Sequence, residues 1–215
     1  MVDYNREIVN PCDDSVVSVV DDEVMIYRLS RGYAPLHIKL PKKTSKKLLS
    51  LGANQKSTIA IAFEDNLTLS PYIADLDSIE SIEHFKNMIK NFKRFYKFDF
   101  DEIICDLHPS YESTKYAMSL NKPIKQVQHH LAHIYSCKAE FGLSGEYVGF
   151  SFDGTGYGDD GTIWGGEVFV GDERKYHFKP IKLLGGEKAI KEPRRVALSM
   201  LFGKYELDEI LEFDL

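Results

Sequence analysis

The stretch LLSLGANQKSTIAIAF, residues 48–63, decides how the rest of the chain is read. Two strand-like apolar runs flank Gly-Ala-Asn, so the pattern predicts two strands joined by a tight turn. NLTLSPYIADL, residues 66–76, is expected to add a third strand. Downstream, Ile82, Phe85, Met88, Ile89, Phe92, Phe95 and Tyr96 recur at spacings of three and four. That places them on one face of a helix over residues 79–96, with Glu83, Lys86, Lys90 and Lys93 elsewhere. FDEIICDLHP, residues 100–109, reads as a short buried strand stopped by Pro109, and STKYAMSL as a short helix capped by Ser110 or Ser113. Three leading strands followed by alternating helices and strands match one ribonuclease-H-like lobe, an α/β (α+β) fold with a mixed sheet and flanking helices.

Outward from this centre, SVVSVV, a DDE turn and VMIYRL predict a β-hairpin over residues 15–29. SRGYAPLHIKLPKK, residues 30–43, reads as a loop or linker because of its glycine, two prolines and basic cluster. Toward the C-terminus, VQHHLAHIYSCKAEFG is a helix closed by Gly142. Residues 146–170 read as two strands joined by a glycine-rich loop, and a final helix begins near Pro193.

Composition narrows the function. The chain has 215 residues, 43% of them apolar, and a formal net charge of -6. It lacks the basic stripe of a duplex-binding protein, so nucleic acid is not an expected partner. No apolar run reaches the roughly 18 residues of a membrane span, and MVDYNREIVN does not follow the charged-then-apolar pattern of a signal peptide. Cys12, Cys105 and Cys137 are sparse and widely spaced, which suits reduced thiols in a cytoplasmic compartment.

The chemistry-bearing motif is HHLAH, residues 129–133. His129 and His133 lie one helical turn apart on the same face, a spacing that can hold one divalent metal ion. His130 points about 100° away and is read as a neighbour. Its presence displaces the glutamate of the HExxH proteases, which argues against that chemistry. A histidine pair of this kind also serves merely to cap or pack. In SFDGTGYGDDGTIWGGE, residues 151–167, Asp153 stands at a strand end about twenty residues after His133, placed to act as a third, oxygen ligand. Gly154, Gly156 and Gly158 let backbone approach an anion, with Thr155 among them, and Gly165 and Gly166 suggest a second close approach. The same loop reads equally as a long hairpin turn.

Three weaker candidates remain. Lys56 follows the GAN turn and can reach a phosphate, although the spacing is not that of a Walker motif. Asp106 and His108 sit at a strand end, where α/β ligand sites open, and are candidate catalytic residues. Arg194 and Arg195 can offer guanidinium forks to an anion, or simply charge the start of a helix at Pro193.

Taken in order, NREIVNPCDDSVV, RGYAP, LGANQKST, DLHPSYESTKYA, VQHHLAHIYSCKAEFG, FDGTGYGDDGTIWGGE and KEPRR resemble the HypF carbamoyltransferases, which mature [NiFe]-hydrogenases. The resemblance covers nearly the whole chain. It implies an ASKHA-type fold, with residues 1–40 as the tail of a preceding YrdC-like domain and its linker. Residues 41–215 would then be the first lobe of the carbamoyltransferase domain. It further implies that a carbamoyl group passes from carbamoyl-adenylate, made from carbamoyl phosphate and ATP, to the C-terminal cysteine of HypE for cyanide ligand synthesis.

Carried over by position, His129, His133 and Asp153 are metal ligands, for zinc or iron, and the glycines line the nucleotide phosphates. Leu131 departs from many relatives, which carry histidine there. The family's fourth ligand, an aspartate of the second lobe, is expected beyond Leu215. The isolated chain is therefore expected to show no carbamoyl transfer and to self-associate through the face meant for that lobe. Two other readings weighed against this one are a tRNA threonylcarbamoyl or O-carbamoyltransferase lobe and a non-catalytic docking module.

Overall fold

The computed structural model describes residues 5, 8–97, 99–186, 188–202 and 204–212. Arg6 and Glu7 of the NREIVNPCDDSVV stretch, and Glu187 and Gly203 near the final helix, lie outside them. The chain divides into two units, Met1–Ser144 with Tyr157–Gly161, and Gly145–Gly156 with Thr162–Leu215.

The first unit opens with the expected hairpin, β1 (Val16–Val20) against β2 (Glu23–Arg28). Asp21 and Asp22 both take positive φ, the backbone of a two-residue turn whose twist matches its strands. Val17, Val19, Val24 and Met25 stay exposed, so this hairpin has little core of its own.

The predicted linker is largely strand. β3 runs from Leu36 to Leu51 and pairs antiparallel with β4 (Ile59–Leu69). Of the residues that suggested a loop, Pro41, Lys42 and Lys43 fall where the pairing register shifts, between Lys39 and Leu48, while Pro35 precedes the strand. Pro41 thus sits where no ladder bond is required. The expected three-stranded meander is likewise a two-stranded one. NLTL continues β4 past a positive-φ Glu64 and does not form a separate strand.

Helix α1 (Ile79–Phe95) starts at Ser78, whose side chain accepts from Ser81 N while the Ser81 hydroxyl returns to Ser78 N. Phe85, Met88, Ile89 and Phe92 are buried as the periodicity predicts, whereas Phe95 is exposed. They pack on Leu49, Leu51, Ile59, Ile61 and Ile103 in one apolar cluster. The strand residues alternate along β3, β4 and β5 (Glu102–Asp106), as one covered face of a sheet requires.

Helix α2 (Glu112–Ser119) is capped differently from the expectation. Its N-cap is Tyr111, Ser113 is buried within the helix, and Asn54 of the β3–β4 turn accepts from Glu112 N at 3.0 Å. A four-residue strand, β6 (Ile124–Val127), then precedes α3 (His129–Glu140). Gly142 follows α3 at φ 60°, the left-handed position that glycine favours after a helix.

The resulting mixed sheet has the order β4-β3-β5-β6, with β3, β5 and β6 parallel to one another. The carboxyl ends of all three therefore share one edge. The GAN turn, Asp106 and the start of α3 all lie along it.

The second unit is built on a sheet of order β7-β8-β9, comprising Val148–Tyr157, Ile163–Val170 and Glu173–His177. Three short helices follow, α4 (Lys188–Lys191), α5 (Pro193–Leu201) and α6 (Leu207–Leu211). Ser151, Trp164, Glu167 and Phe169 are buried, while Phe150 and Phe152 on alternating positions are exposed. Among the described residues, no helix is long and apolar enough to cross a membrane, and Cys12, Cys105 and Cys137 are all free.

Candidate metal centre

Helix α3 is held at its N-terminus by Gln128, whose side-chain oxygen accepts from Leu131 N at 2.9 Å. The amide nitrogen of the same side chain is then turned to donate to Tyr157 O and to His130 Nδ1, both at 3.1 Å. This draws His130 fully into the interior. It is a packed neighbour, as its position on the helix predicts.

His129 and His133 sit one turn apart with ring centroids 4.9 Å apart at 81°. Their candidate donor nitrogens lie within 4.8 Å of each other. Two imidazoles one helical turn apart are a pair of the kind that can hold one divalent cation. His133 is exposed and His129 half-buried, so the pair is open to solvent on one side.

Asp106 ends β5 beside this helix because β5 and β6 pair Asp106 with Val127, two residues before His129. One carboxylate oxygen accepts from His108 N at 2.8 Å, and the other lies 2.7 Å from His129 Nδ1. Cys105 precedes it. Burial, with the Asp106 charge adding to it, pushes this thiol above its usual range. A thiol held protonated is a poor nucleophile and a poor metal ligand near neutral pH.

His108 stacks on Tyr111 with ring centroids 4.1 Å apart, and its Nδ1 accepts from Ser110 N. A cavity of about 520 Å³ opens beside it, lined by Leu107, Pro109, Thr114, Lys115, Met118, Gln126 and Tyr157. Lys56 belongs to the turn at the same sheet edge, where its backbone N–H donates to Asp75 at 2.7 Å.

In the second unit Asp153 stands in β7, its carboxylate accepting from Gly154 N at 2.7 Å. The glycines expected in a loop are mostly in strands. Gly154 and Gly156, with Thr155 between them, lie in β7 and Gly165 and Gly166 in β8, while Gly158 begins the connection. A Cβ at Gly165 would meet Asp153 O at 3.1 Å, and one at Gly166 would meet the Phe178 ring at 2.1 Å. A Cβ at Gly154 would meet nothing within 4 Å. Arg194 and Arg195 turn onto Glu192, with Arg195 Nε 2.7 Å from its carboxylate. That hydrogen bond, with both guanidinium charges, holds Glu192 below the usual carboxylate range.

Sequence reasoning found the histidine pair but not the bond from Asp106 to His129, nor the Gln128 cap. The first depends on strand register, which no local pattern encodes. A glutamine before a helix is also a weaker capping signal than serine or aspartate.

Residues 43–140 match the family model described as the HypF Kae1-like domain. Residues 149–214 match the one described as the carbamoyltransferase Kae1-like domain, second subdomain. The chain is 45% identical over 204 residues to carbamoyltransferase HypF of Synechocystis sp., covering 93% of this chain and 27% of that protein. It is 40% identical over 208 residues to a probable carbamoyltransferase HypF of Methanocaldococcus jannaschii, again 93% of this chain and 27% of the other. The chain thus spans about a quarter of the length of these curated relatives.

Among solved structures, full-length HypF in a phosphate- and nucleotide-bound form matches with a TM-score of 0.85 at 40% identity, over 93% of this chain and 32% of that one. HypF of T. kodakarensis matches with a TM-score of 0.83 at 37% identity, over 92% and 27%. With a Kae1-like fold and relatives of this name along nearly its whole length, the chain belongs to the HypF carbamoyltransferase family.

Proposed function

We propose that this chain forms part of a carbamoyltransferase in which His129, His133 and Asp153 hold a divalent metal ion. The observation that carries the reading is the His129–His133 pair, presented at the carboxyl edge of a parallel strand set, where α/β folds place their ligands. Two imidazoles and a carboxylate suit zinc or iron. Such an ion supplies Lewis-acid polarisation of a phosphate when bound.

The substrate reading follows from the family. The carbamoyl group would pass from carbamoyl-adenylate, made from carbamoyl phosphate and ATP, to the C-terminal cysteine of HypE. The cysteine thiol would give up its proton, and its sulfur would bond to the carbamoyl carbon as the C–O bond to phosphate breaks and AMP leaves with the electron pair. The product feeds cyanide ligand synthesis in [NiFe]-hydrogenase maturation. The nucleotide-bound state of the solved relative supports a nucleotide here. Gly154, Thr155, Gly156, Gly158, Gly165 and Gly166 would present backbone to its phosphates, with Lys56 as a cationic contact. At Gly154 there is open space for this, since a Cβ there would meet nothing within 4 Å. Asp106 contacts His129, and His108 lies in sequence between Leu107 and Pro109, which line the adjacent cavity, so both stay candidate catalytic residues.

In the same reading, residues 1–40 are the tail of a YrdC-like domain and its linker, with β3 carrying the chain onward. Residues 41–215 open the carbamoyltransferase domain as its first lobe. The free thiols suit a cytoplasmic setting. Self-association is proposed through exposed apolar surface such as the Phe150, Phe152 and Phe178 cluster, whose rings lie 5.4–6.1 Å apart.

The test is metal binding by the purified chain. Zinc titration should give one site, lost in His129→Ala and in His133→Ala and weakened in Asp153→Asn. Equal zinc retention by all four proteins would sink the ligand assignment.

A further inference from the structure

The Asp106–His129 contact fixes more than a position. We propose that Asp106 is a positioning residue that keeps the proton of His129 on Nδ1, so that Nε2 is left as the lone-pair donor for a metal ion. This rests on the metal reading above, in which His129 is a ligand.

An ionised carboxylate only accepts hydrogen bonds, so the 2.7 Å contact requires His129 Nδ1 to be the donor. A neutral imidazole has one N–H, and Nε2 is therefore the acceptor and the ligand atom. Asp106 is well placed to impose this. Its side chain is 7% exposed, and its second oxygen is fixed by His108 N. Its own backbone carbonyl is gripped by Thr114 Oγ1 and Gln126 Nε2, each at 3.3 Å. The residue is thus held by three neighbouring segments, its carboxylate by His108 N and its backbone carbonyl by Thr114 and Gln126.

The next residue gives an internal contrast. Gln128 Oε1 is committed to Leu131 N, so the group facing His130 Nδ1 is an amide nitrogen, which only donates. His130 Nδ1 must accept, and its proton sits on Nε2. Adjacent histidines are therefore set in opposite tautomers, one presenting Nε2 as a lone pair and the other buried with Nε2–H.

The test reads the tautomers directly, in the metal-free chain, by long-range proton–nitrogen correlation spectra at alkaline pH. Unaltered His129 should show protonated Nδ1 and bare Nε2, and His130 the reverse. Asp106→Ala should shift His129 toward Nε2–H, while His130 keeps its pattern and reports an intact helix. In parallel, cobalt(II) titration followed by visible absorption should show about 10–100-fold weaker binding in Asp106→Ala, the usual cost of losing such a partner. Asp106→Asn, whose amide oxygen can still accept, should lose less.

Nε2–H on unaltered His129 would overturn the proposal. So would an Asp106→Ala chain whose tautomer and cobalt affinity are unchanged. A chain that binds no cobalt at all overturns the metal reading instead, and the tautomer spectra still decide the role of Asp106.

Discussion

In the first unit Leu49, Ile61, Phe85 and Ile103 meet in an apolar core under α1. In the second, Trp164 packs against the guanidinium of Arg174, 3.8 Å from the ring centroid, and Arg174 is paired in turn with buried Glu167. Glu167 also accepts from Gly165 N at 3.0 Å. The first unit is stabilised mainly by area removed from water, which tolerates small shifts of geometry. The second rests on a charged, directional knot beside exposed Phe150, Phe152 and Phe178. The comparison teaches where each unit is brittle, and the histidine pair stands on the better-buried of the two.

Substitutions can break or sharpen that contrast. The largest stability effect is expected from Phe85→Ala, about 3–5 kcal/mol, as a cavity opens in the apolar core. Urea unfolding followed by circular dichroism measures it, and a loss below about 1 kcal/mol would mean that the core collapses freely around the gap. Next is Arg174→Ala, which leaves the Glu167 carboxylate buried without its cation and should cost about 3 kcal/mol. Trp164 is the only tryptophan, so its fluorescence follows the second unit alone.

Smaller still is Phe152→Ala, expected within about 0.5 kcal/mol because its ring is already exposed. A larger loss would show that the aromatic cluster is structural. Finally, a thiol reagent at neutral pH should label exposed Cys12 and Cys137 and spare Cys105 until unfolding. Burial raises the Cys105 pKa, so its reactive thiolate fraction is lowered throughout that range. Rapid labelling of all three in the folded chain would contradict the packing of β5.

What the sequence disclosed follows the same physical line. Helix α1 was legible because seven apolar residues repeat at helical spacing, and β5 because EIICD is short, apolar and stopped by a proline. The hairpin of β1 and β2 was announced by its acidic turn. β6 and β9 were not legible. IKQV has only two apolar residues, and ERKYH is mostly charged, so each owes its conformation to a pairing partner. The loop expected at residues 30–43 failed for a related reason. Pro41 is tolerated at a register shift that only the partner strand reveals. The histidine pair was legible because four residues make one helical turn, whereas Asp106 reaches His129 through a sheet.

The central claim is that His129 and His133, with Asp153, ligate one metal ion. X-ray absorption spectroscopy of the zinc-loaded chain tests it most directly. The account predicts a shell of nitrogen and oxygen donors near 2.0–2.1 Å with the outer scattering of two imidazoles, reduced to one imidazole in His133→Ala. A zinc shell without imidazole scattering, or one unchanged by His133→Ala, would contradict it.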